Sequence, residues 1–392
     1  MAAPCPVCAS PESELIYQLD RVPVTCASVF NSAAEARGVP TGTVRLVCCH
    51  QCGFLYNNQF DQAVADVGAR YESDQGASAH FGAYARELAL RWVEDYGLRR
   101  ATVIEVGCGQ GEFLGHLLDQ GVGAAVGFDP LANTTRPLRH GVKLVASRFE
   151  AGGEDIDAAA LVCRHTLEHV ADVMPFMAAI HRWCARSADR VVLFEVPATE
   201  RILSEVAFWD IYYEHCNYFT ANTLRDVFER AGFDVQRLEL TYGEQYLVVE
   251  ARATQQLVGG KSAVDPAGAL AAARVFGGAA RARVDRCRAR LRAMATERGL
   301  PVIWQGASKT VGLLTAIGEP TPALFAVDAS PSRHDQYLPG SGLGIRAPAV
   351  LATTRPRDVI LMNPVYVSEV RAELDALTPH TQLTTINQLF AT

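Results

Sequence analysis

The chain lacks the features that mark several classes of protein. No apolar run reaches about 18 residues, so the sequence predicts no membrane span. Basic residues are fewer than acidic ones, 36 against 43, and the net charge of −7 argues against a nucleic-acid binder, which usually carries a basic face. The first ten residues have neither a basic start nor an apolar core, so no secretory signal is expected.

A disulfide framework is also not expected. Eleven cysteines are an odd number in a chain of 392 residues without a signal, which predicts a reduced, cytoplasmic protein. A hydrophobic fraction of 49% and a charged fraction of 20% are ordinary globular values, so disorder is not the dominant state. The length suggests two or three domains of about 100–200 residues each.

The pattern along the chain divides it into three blocks, 1–72, 73–254 and 255–392, with a polar joint at 255–262. The first block is rich in cysteine and has few periodic runs. The other two blocks alternate strands with helices, which predicts an α/β fold. We expect a doubly wound sheet in the middle block and a second, smaller, Rossmann-like unit after it. Ligands of such sheets bind at the carboxyl ends of the strands.

Four cysteines form two Cys-x-x-Cys pairs, Cys5 with Cys8 and Cys49 with Cys52. Two such pairs are typical of a structural Zn²⁺ site with four thiolate ligands and no open position for chemistry. Redox dithiols and unrelated core cysteines are the alternatives, and Cys48 is an alternative to Cys49. The cysteines expected to be buried small hydrophobes are Cys26, Cys163, Cys184 and Cys287.

A glycine loop, Glu105-x-Gly107-x-Gly109-x-Gly111, follows the first predicted strand of the middle block. It is not a dinucleotide fingerprint, because an acidic residue stands where the third glycine of that motif belongs. Glycines let the backbone approach a ligand closely. Asp129, at the end of the next strand, suits the two hydroxyls of a ribose. The loop therefore indicates a ribose-bearing ligand without a phosphate, such as S-adenosylmethionine (SAM).

These motifs resemble the class I SAM-dependent methyltransferases. The alternatives are a nucleotide-binding fold that uses the loop otherwise, and a degenerate fold. The resemblance implies that the donor is bound by the loop and by segments after the next strands. The residues concerned are Glu105, Gly107, Cys108, Gly109, Gly111, Asp129, Phe149, Glu150, Arg164 and His165.

Residues 209–220 form a loop dense in aromatic and titratable side chains. Removing a proton from carbon next to a carbonyl needs a base, and His215, with an ordinary pKa of about 6.5, suits that task. Tyr212 and Asn217 are candidate donors to the enolate oxygen, and Glu214 is a candidate to orient the imidazole. The alternative is an aromatic cap around a satisfied histidine.

Two other pairs of residues are less specific. Glu168 and His169 are equally compatible with surface groups at a helix start. Ser308 and Lys309 follow a strand and open a helix. A helix N-terminus with a lysine suits an anion such as a nucleoside diphosphate, and simple capping by Ser308 is the equal alternative.

Taken over its whole length, the chain resembles the sugar C-methyltransferases, which methylate C-3 of nucleotide-linked 4-keto-deoxysugars. The resemblance implies His215 as the base at C-3, with Tyr212 and Glu214 in support. It also implies substrate contacts from Tyr218 and from the loop that contains Ser308 and Lys309. Where the family carries a Gly-Gly-Ser-rich stretch, this chain reads Tyr-Gly-Glu-Gln-Tyr at 242–246, so a different substrate is compatible with the same architecture.

The leading hypothesis is therefore a SAM-dependent C-methyltransferase with a structural zinc ion and a small-molecule substrate, as a monomer or homodimer without nucleic-acid or membrane partners. A second hypothesis keeps SAM but places the methyl group on oxygen or nitrogen of another natural product. A third is a non-catalytic protein that binds SAM or a nucleotide.

Overall fold

Three β-sheets organise the chain in the computed structural model. The structure describes residues 3–66, 78–135, 139–151, 153–254, 264–318 and 323–390. The predicted boundary between residues 72 and 73 and the predicted joint at 255–262 lie outside these residues. Within them, no helix is both long enough and apolar enough to cross a bilayer.

The first sheet is antiparallel, and the sequence patterns do not predict it. It contains β1 (Ser13–Pro23), β2 (Thr41–Cys49) and β3 (Leu55–Asn57), accompanied by short helices α1 (Ala33–Arg37) and α2 (Gln62–Asp66). Two register shifts in the β1–β2 pairing interrupt the two-residue period that would mark a strand in the sequence. The fourth strand of this sheet comes from the middle of the chain.

The second sheet carries the doubly wound fold. Its order is β10-β11-β8-β7-β4-β5-β6, in which β11 runs antiparallel to both of its neighbours and the other six strands run parallel to one another. This arrangement confirms the predicted α/β class. The elements of this segment are α3 (Ala79–Asp95), β4 (Thr102–Val106), α4 (Glu112–Asp119), β5 (Ala124–Phe128), β6 (Val142–Val145), β7 (Ala160–Arg164), α5 (Val173–Cys184), β8 (Val191–Pro197), α6 (Thr199–Ser204), β9 (Asn217–Tyr218), α7 (Ala221–Arg230), β10 (Phe233–Thr241) and β11 (Tyr246–Ala253). The short strand β9 belongs to the first sheet instead, where it pairs with β3.

The third sheet has five parallel strands in the order β14-β13-β12-β15-β16, which confirms the second, smaller α/β unit. Its elements are α8 (Pro266–Arg298), β12 (Val302–Trp304), α9 (Ser308–Ile317), β13 (Ala326–Val327), β14 (Ile345–Arg346), α10 (Leu351–Thr354), β15 (Asp358–Leu361), α11 (Val367–Leu377) and β16 (Gln382–Thr385).

The long helix α8 joins the first and third sheets through one core. That core contains Tyr17 of β1 and Leu46 of β2 together with Ile303 of β12 and Ile360 of β15. The first sheet is therefore packed onto the C-terminal unit. The residues that α8 contributes recur every three or four positions, as expected for one helix face: Ala273, Phe276, Ala280, Val284, Cys287, Leu291 and Met294.

Candidate active site

The four predicted zinc ligands come together beside the end of β2. Sγ of Cys5 lies 3.6 Å from Sγ of Cys52, and Sγ of Cys8 lies 3.5 Å from Sγ of Cys49. All four sulfur atoms lie within 4.8 Å of one another. A tetrahedral Zn²⁺ with Zn–S bonds of about 2.3 Å needs sulfur atoms roughly 3.8 Å apart. The cluster therefore fits one zinc ion.

Cys48 is not part of this cluster. Consecutive residues of a strand point to opposite faces of a sheet. Cys48 accordingly lies in the core shared with α8, whereas Cys49 belongs to the core beneath the second sheet. Of the two candidates, Cys49 is the residue that joins the other three sulfur atoms.

The glycine loop lies between β4 and α4, at the carboxyl end of the second sheet. Gly107, Gly109 and Gly111 have positive φ angles of 72°, 52° and 83°. A Cβ atom at position 107 would lie 1.8 Å from Oγ1 of Thr166, so only glycine fits there. The N–H of Gly109 donates to Oδ2 of Asp129 at 3.0 Å. This bond holds the predicted ribose-binding carboxylate against the loop.

Glu105 supplies a buried acceptor next to that loop. The residue is 3% exposed, and its Oε2 atom has no hydrogen-bond partner among the described residues. Burial raises the pKa of Glu105 to about 8, although the Arg164 charge opposes it. An unpaired buried acceptor costs free energy. An ammonium group, such as that of the methionine part of SAM, would satisfy it, and in this respect the site fits SAM.

The predicted cofactor residues surround a cavity of about 640 Å³. This volume lies within the usual range of roughly 300–1,000 Å³ for small-molecule sites. Gly111 does not line the cavity but forms the N-cap of α4. The predicted residues that line it are Glu105, Gly107, Cys108, Gly109, Asp129, Phe149, Glu150, Arg164 and His165.

Glu195 of β8 holds Arg164 and His165 in the wall of this cavity. Nε and Nη2 of Arg164 lie 3.3 and 3.2 Å from its two carboxylate oxygens, and Nε2 of His165 lies 2.6 Å from Oε1. Burial alone would raise the pKa of Glu195, but Arg164 and His165 outweigh it and lower that pKa to about 2. The Arg164 guanidinium therefore donates to Glu195, and it forms part of the cavity wall in this position.

A second cavity, of about 260 Å³, adjoins the first, because His165, His169 and Glu214 line both. Its wall draws on all three segments of the chain. Cys26 comes from the segment of the first sheet, and Lys309 comes from the start of α9. We refer to the two spaces as the cofactor cavity and the acceptor cavity.

His215 lies in the wall of the acceptor cavity. Its ring packs edge-on against Tyr212 and His169, with ring centroids 4.9 and 4.8 Å away. Burial, assisted by the neighbouring His169, lowers the pKa of His215 well below its usual value. The imidazole is therefore neutral near pH 7, the form that accepts a proton.

Tyr212 is tied to a buried ion pair. Its hydroxyl donates to Oδ1 of Asp210 at 2.7 Å, and Nζ of Lys309 donates to the same oxygen. Arg201 donates to Oδ2 of Asp210. Burial lowers the pKa of Lys309 to about 8, against the opposing effect of Asp210. Through Asp210, the C-terminal unit thus positions a side chain that touches His215.

Glu214 takes a different position from the one expected. Its Oε2 atom accepts hydrogen bonds from the N–H and from Sγ of Cys26, both at 2.6 Å. This corrects the expectation that Glu214 orients the His215 imidazole, because its carboxylate is bound by the segment after β1 instead. The residue still lines both cavities.

Asn217 and Tyr218 support the loop from outside the acceptor cavity. Nδ2 of Asn217 donates to the backbone oxygen of Val170 at 2.6 Å. The hydroxyl of Tyr218 lies 3.3 Å from both the backbone N and O atoms of Tyr212. Both are nearly fully buried, and neither lines either cavity. The structure therefore does not bring them to the substrate space.

Ser308 lines the acceptor cavity as the first residue of α9. The N-cap of that helix is Ala307, which makes no side-chain capping bond. Capping by Ser308, one of the two alternatives for this position, is therefore not observed.

Glu168 and His169, for which the sequence leaves a surface position as an equal alternative, both line the acceptor cavity. Glu168 is 2% exposed, and Nδ1 of His169 lies 2.9 Å from the backbone oxygen of Glu214. Gln245 and Asn363 exchange two amide hydrogen bonds of 2.9 Å across the wall. Sequence reasoning misses this pair and the role of Asp210, although Gln245 lies inside the 242–246 stretch and Asp210 inside the 209–220 segment.

Two solved methyltransferases each match less than half of this chain. A 1,6-didemethyltoxoflavin-N1-methyltransferase from Burkholderia thailandensis is 19% identical over 44% of this chain and 79% of its own, with a TM-score of 0.34. The N,N-8-amino-8-demethyl-D-riboflavin dimethyltransferase from Streptomyces davawensis is 22% identical over 44% and 55%, with a TM-score of 0.36. Such low scores support no statement about the substrate.

Two protein families match the chain directly. The methyltransferase domain family matches residues 79–238, and the C-methyltransferase C-terminal domain family matches residues 270–382. A search among curated proteins finds no match. The order of the two domains is the predicted one, and the first coincides with the sheet that carries the cofactor cavity. The chain is therefore a SAM-dependent methyltransferase with the domain layout of the C-methyltransferase family.

Proposed function

We propose that this enzyme removes a proton from a carbon next to a carbonyl and methylates the resulting enolate. The observation that supports it is the position of His215, a neutral imidazole in a cavity that adjoins the cofactor cavity. Holding donor and acceptor side by side lowers the entropic barrier to transfer. The C-methyltransferase C-terminal domain agrees with a carbon acceptor.

In this proposal His215 takes the proton from the acidic C–H bond, and the electron pair of that bond moves into an enolate. The candidate donor to the enolate oxygen is the Tyr212 hydroxyl, which would turn its proton from Asp210 to that oxygen. When bound, SAM would supply the electrophilic methyl group, and its methyl–sulfur bond would break as the enolate carbon forms the new carbon–carbon bond, leaving S-adenosylhomocysteine. Glu105 and Asp129 would hold its ammonium group and its ribose.

The substrate that we propose is a nucleotide-diphospho-4-keto-deoxysugar methylated at C-3. Ser308 and Lys309 bring the N-terminal end of α9 to the acceptor cavity. A diphosphate at this end would meet a positive helix dipole. The protein would then act in the cytoplasm, as a monomer or homodimer.

We also propose that the four cysteines hold one structural Zn²⁺. Phe54, two residues after Cys52, packs edge-on against Phe219, which directly follows β9, with ring centroids 5.3 Å apart. Zinc would thus stabilise the sheet edge that carries the 209–220 loop. Chelation should lower the melting temperature and the turnover before it affects cofactor affinity. Metal analysis should find one zinc per chain in the wild type and none in Cys52→Ser.

One observation favours the second hypothesis, a smaller acceptor methylated on oxygen or nitrogen. The acceptor cavity of about 260 Å³ is below the usual range of roughly 300–1,000 Å³. The Lys309 ammonium is also already bonded to Asp210. A whole nucleotide sugar would have to extend beyond the cavity as it stands.

A ligand screen followed by product analysis separates the two. With S-adenosylhomocysteine present, one class of nucleoside diphosphate should raise the melting temperature, and NMR of the product should place the new methyl group on carbon. No response to any nucleoside diphosphate, with methyl transfer to oxygen or nitrogen of another compound, would establish the second hypothesis instead.

A further inference from the structure

A second set of metal-binding groups lies in the acceptor cavity, apart from the cysteine cluster. A carboxylate oxygen of Glu168 and one ring nitrogen each of His169 and His215 lie within 4.8 Å of one another. They come from two segments, the single helical turn Leu167–His169 after β7 and the loop before β9. We propose that these three residues form a site for a divalent transition-metal ion of the Zn²⁺ type.

The Glu168 carboxylate is the first argument for this site. The residue is 2% exposed, and its Oε2 atom has no hydrogen-bond partner among the described residues. A buried carboxylate oxygen in this state needs a positively charged or hydrogen-bonding partner. A metal ion bound between Glu168 and the two histidines would provide one.

The environment of His169 is the second argument. Its Nδ1 atom lies 2.9 Å from the backbone oxygen of Glu214. A carbonyl oxygen only accepts, so Nδ1 carries the proton and Nε2 keeps a lone pair. Metal-binding histidines almost always donate their other N–H to such a carbonyl or to a carboxylate, which fixes the tautomer and the ring orientation.

The ligand set is the third argument. Two histidines and one glutamate, with a fourth position open, form a known type of zinc site. Zinc bonds to nitrogen and oxygen of about 2.0–2.2 Å place neighbouring ligand atoms roughly 3.3 Å apart. Small side-chain rotations would close the present spread of up to 4.8 Å. The open position would face the acceptor cavity, which all three residues line.

This site has a consequence that rests on the proposed role of His215. A ring nitrogen bound to a metal ion has no lone pair for a proton. Metal occupancy and base catalysis therefore exclude each other, and the ion should inhibit methyl transfer in competition with the acceptor.

Co²⁺ titration of the full chain, with its cysteine site already filled by zinc, tests the binding directly. Weak visible d–d bands should appear without substrate, distinct from the intense thiolate absorption of a cobalt-filled cysteine site. In Glu168→Gln and His169→Asn, the Co²⁺ affinity should fall by at least about tenfold. The matched control is His116→Asn, which changes a histidine that lines the cofactor cavity away from the three and should keep the wild-type Co²⁺ affinity.

Equal Co²⁺ affinity in the wild type, Glu168→Gln and His169→Asn would overturn the site. Faster methyl transfer in the presence of bound Co²⁺ or Zn²⁺ would overturn the inhibitory role. Because the titration needs no acceptor, its result is independent of whether the proposed carbon methylation is correct.

Discussion

The cofactor cavity and the acceptor cavity are neighbours, yet the chain builds them in different ways. Most of the cofactor cavity lies at the carboxyl ends of parallel strands of one sheet, around a short glycine loop, and residues of the first segment such as Thr25 and Phe60 complete its lining. The acceptor cavity is assembled by contacts over long sequence separations, such as Cys26 with Glu214 and Lys309 with Asp210.

This difference separates two properties of the enzyme. Changes in the loop should impair cofactor binding, whereas changes in the acceptor cavity should impair turnover and leave cofactor binding intact. Each of the following predictions tests that separation, and they run from the largest expected effect to the smallest.

The largest effect is expected from His215→Asn. Loss of a general base lowers turnover by about 10²–10⁴-fold, while the affinity for S-adenosylhomocysteine, measured by calorimetry, should stay at the wild-type value. A variant that loses cofactor affinity as well would show that the two cavities are not separable at this residue.

Gly107→Ala should act on the other cavity. The added Cβ would lie 1.8 Å from Thr166 Oγ1 at a φ of 72°, so the loop must shift. Strain in this region costs about 1–2 kcal/mol before the clash is counted. We expect at least a tenfold loss of S-adenosylhomocysteine affinity, roughly 1.4 kcal/mol or more.

The matched control is Gly97→Ala. Gly97 has a φ of 62° but nothing within 4 Å of an added Cβ. The Gly97→Ala variant should have a lower melting temperature because of the backbone strain. Its affinity for S-adenosylhomocysteine should equal that of the wild type. Equal affinity losses in the two variants would refute the role of the Thr166 contact.

A smaller effect is expected from Gln245→Ala in the acceptor cavity. The change leaves the buried Asn363 amide without its partner, which costs about 1–3 kcal/mol. Denaturant unfolding should report this loss, and KM for the acceptor should rise while cofactor affinity holds. Gln245→Asn, which keeps an amide but shortens the chain, should recover part of the loss at most.

The smallest effect is expected from a change of pH near neutrality, where turnover should stay nearly constant. The pKa of His215 lies below the ordinary value of about 6.5, so the base stays active into mildly acidic solution. Above pH of about 8, Lys309 loses its proton and its ion pair with Asp210. Turnover should then fall by about tenfold per pH unit.

Lys309→Arg tests the cause of that decline. An arginine keeps its charge to a pH above roughly 12, so the alkaline fall should move upward in this variant. If turnover of Lys309→Arg falls at the same alkaline pH as that of the wild type, deprotonation of Lys309 does not cause the fall.

The sequence predicts the second and third sheets, and groups residues that line one cavity, because their signals are local. β4 is a short β-branched strand that contains Glu105, and the glycine loop from Gly107 to Gly111 directly follows it. The first sheet is not predictable, because register shifts hide β1 and its fourth strand, β9, lies about 160 residues after β3 along the chain.

The acceptor cavity is predictable only in part for the same reason. The composition of the 209–220 segment indicates His215 as a candidate. No sequence pattern, however, predicts that Cys26 contacts Glu214 or that Gln245 contacts Asn363. Such partners are set by packing between sheets. The expected contact between Glu214 and the His215 ring is wrong because the Glu214 carboxylate accepts from the N–H and Sγ of Cys26, in the segment after β1.

Hydrogen–deuterium exchange at the acceptor carbon tests the central claim most directly. The wild-type enzyme, incubated in D₂O with S-adenosylhomocysteine and the carbonyl substrate, should exchange the C–H proton without any methyl transfer, and His215→Asn should not. Methylation by an enzyme that shows no exchange, or equal exchange by His215→Asn, would contradict the assignment of His215 as the carbon-acid base.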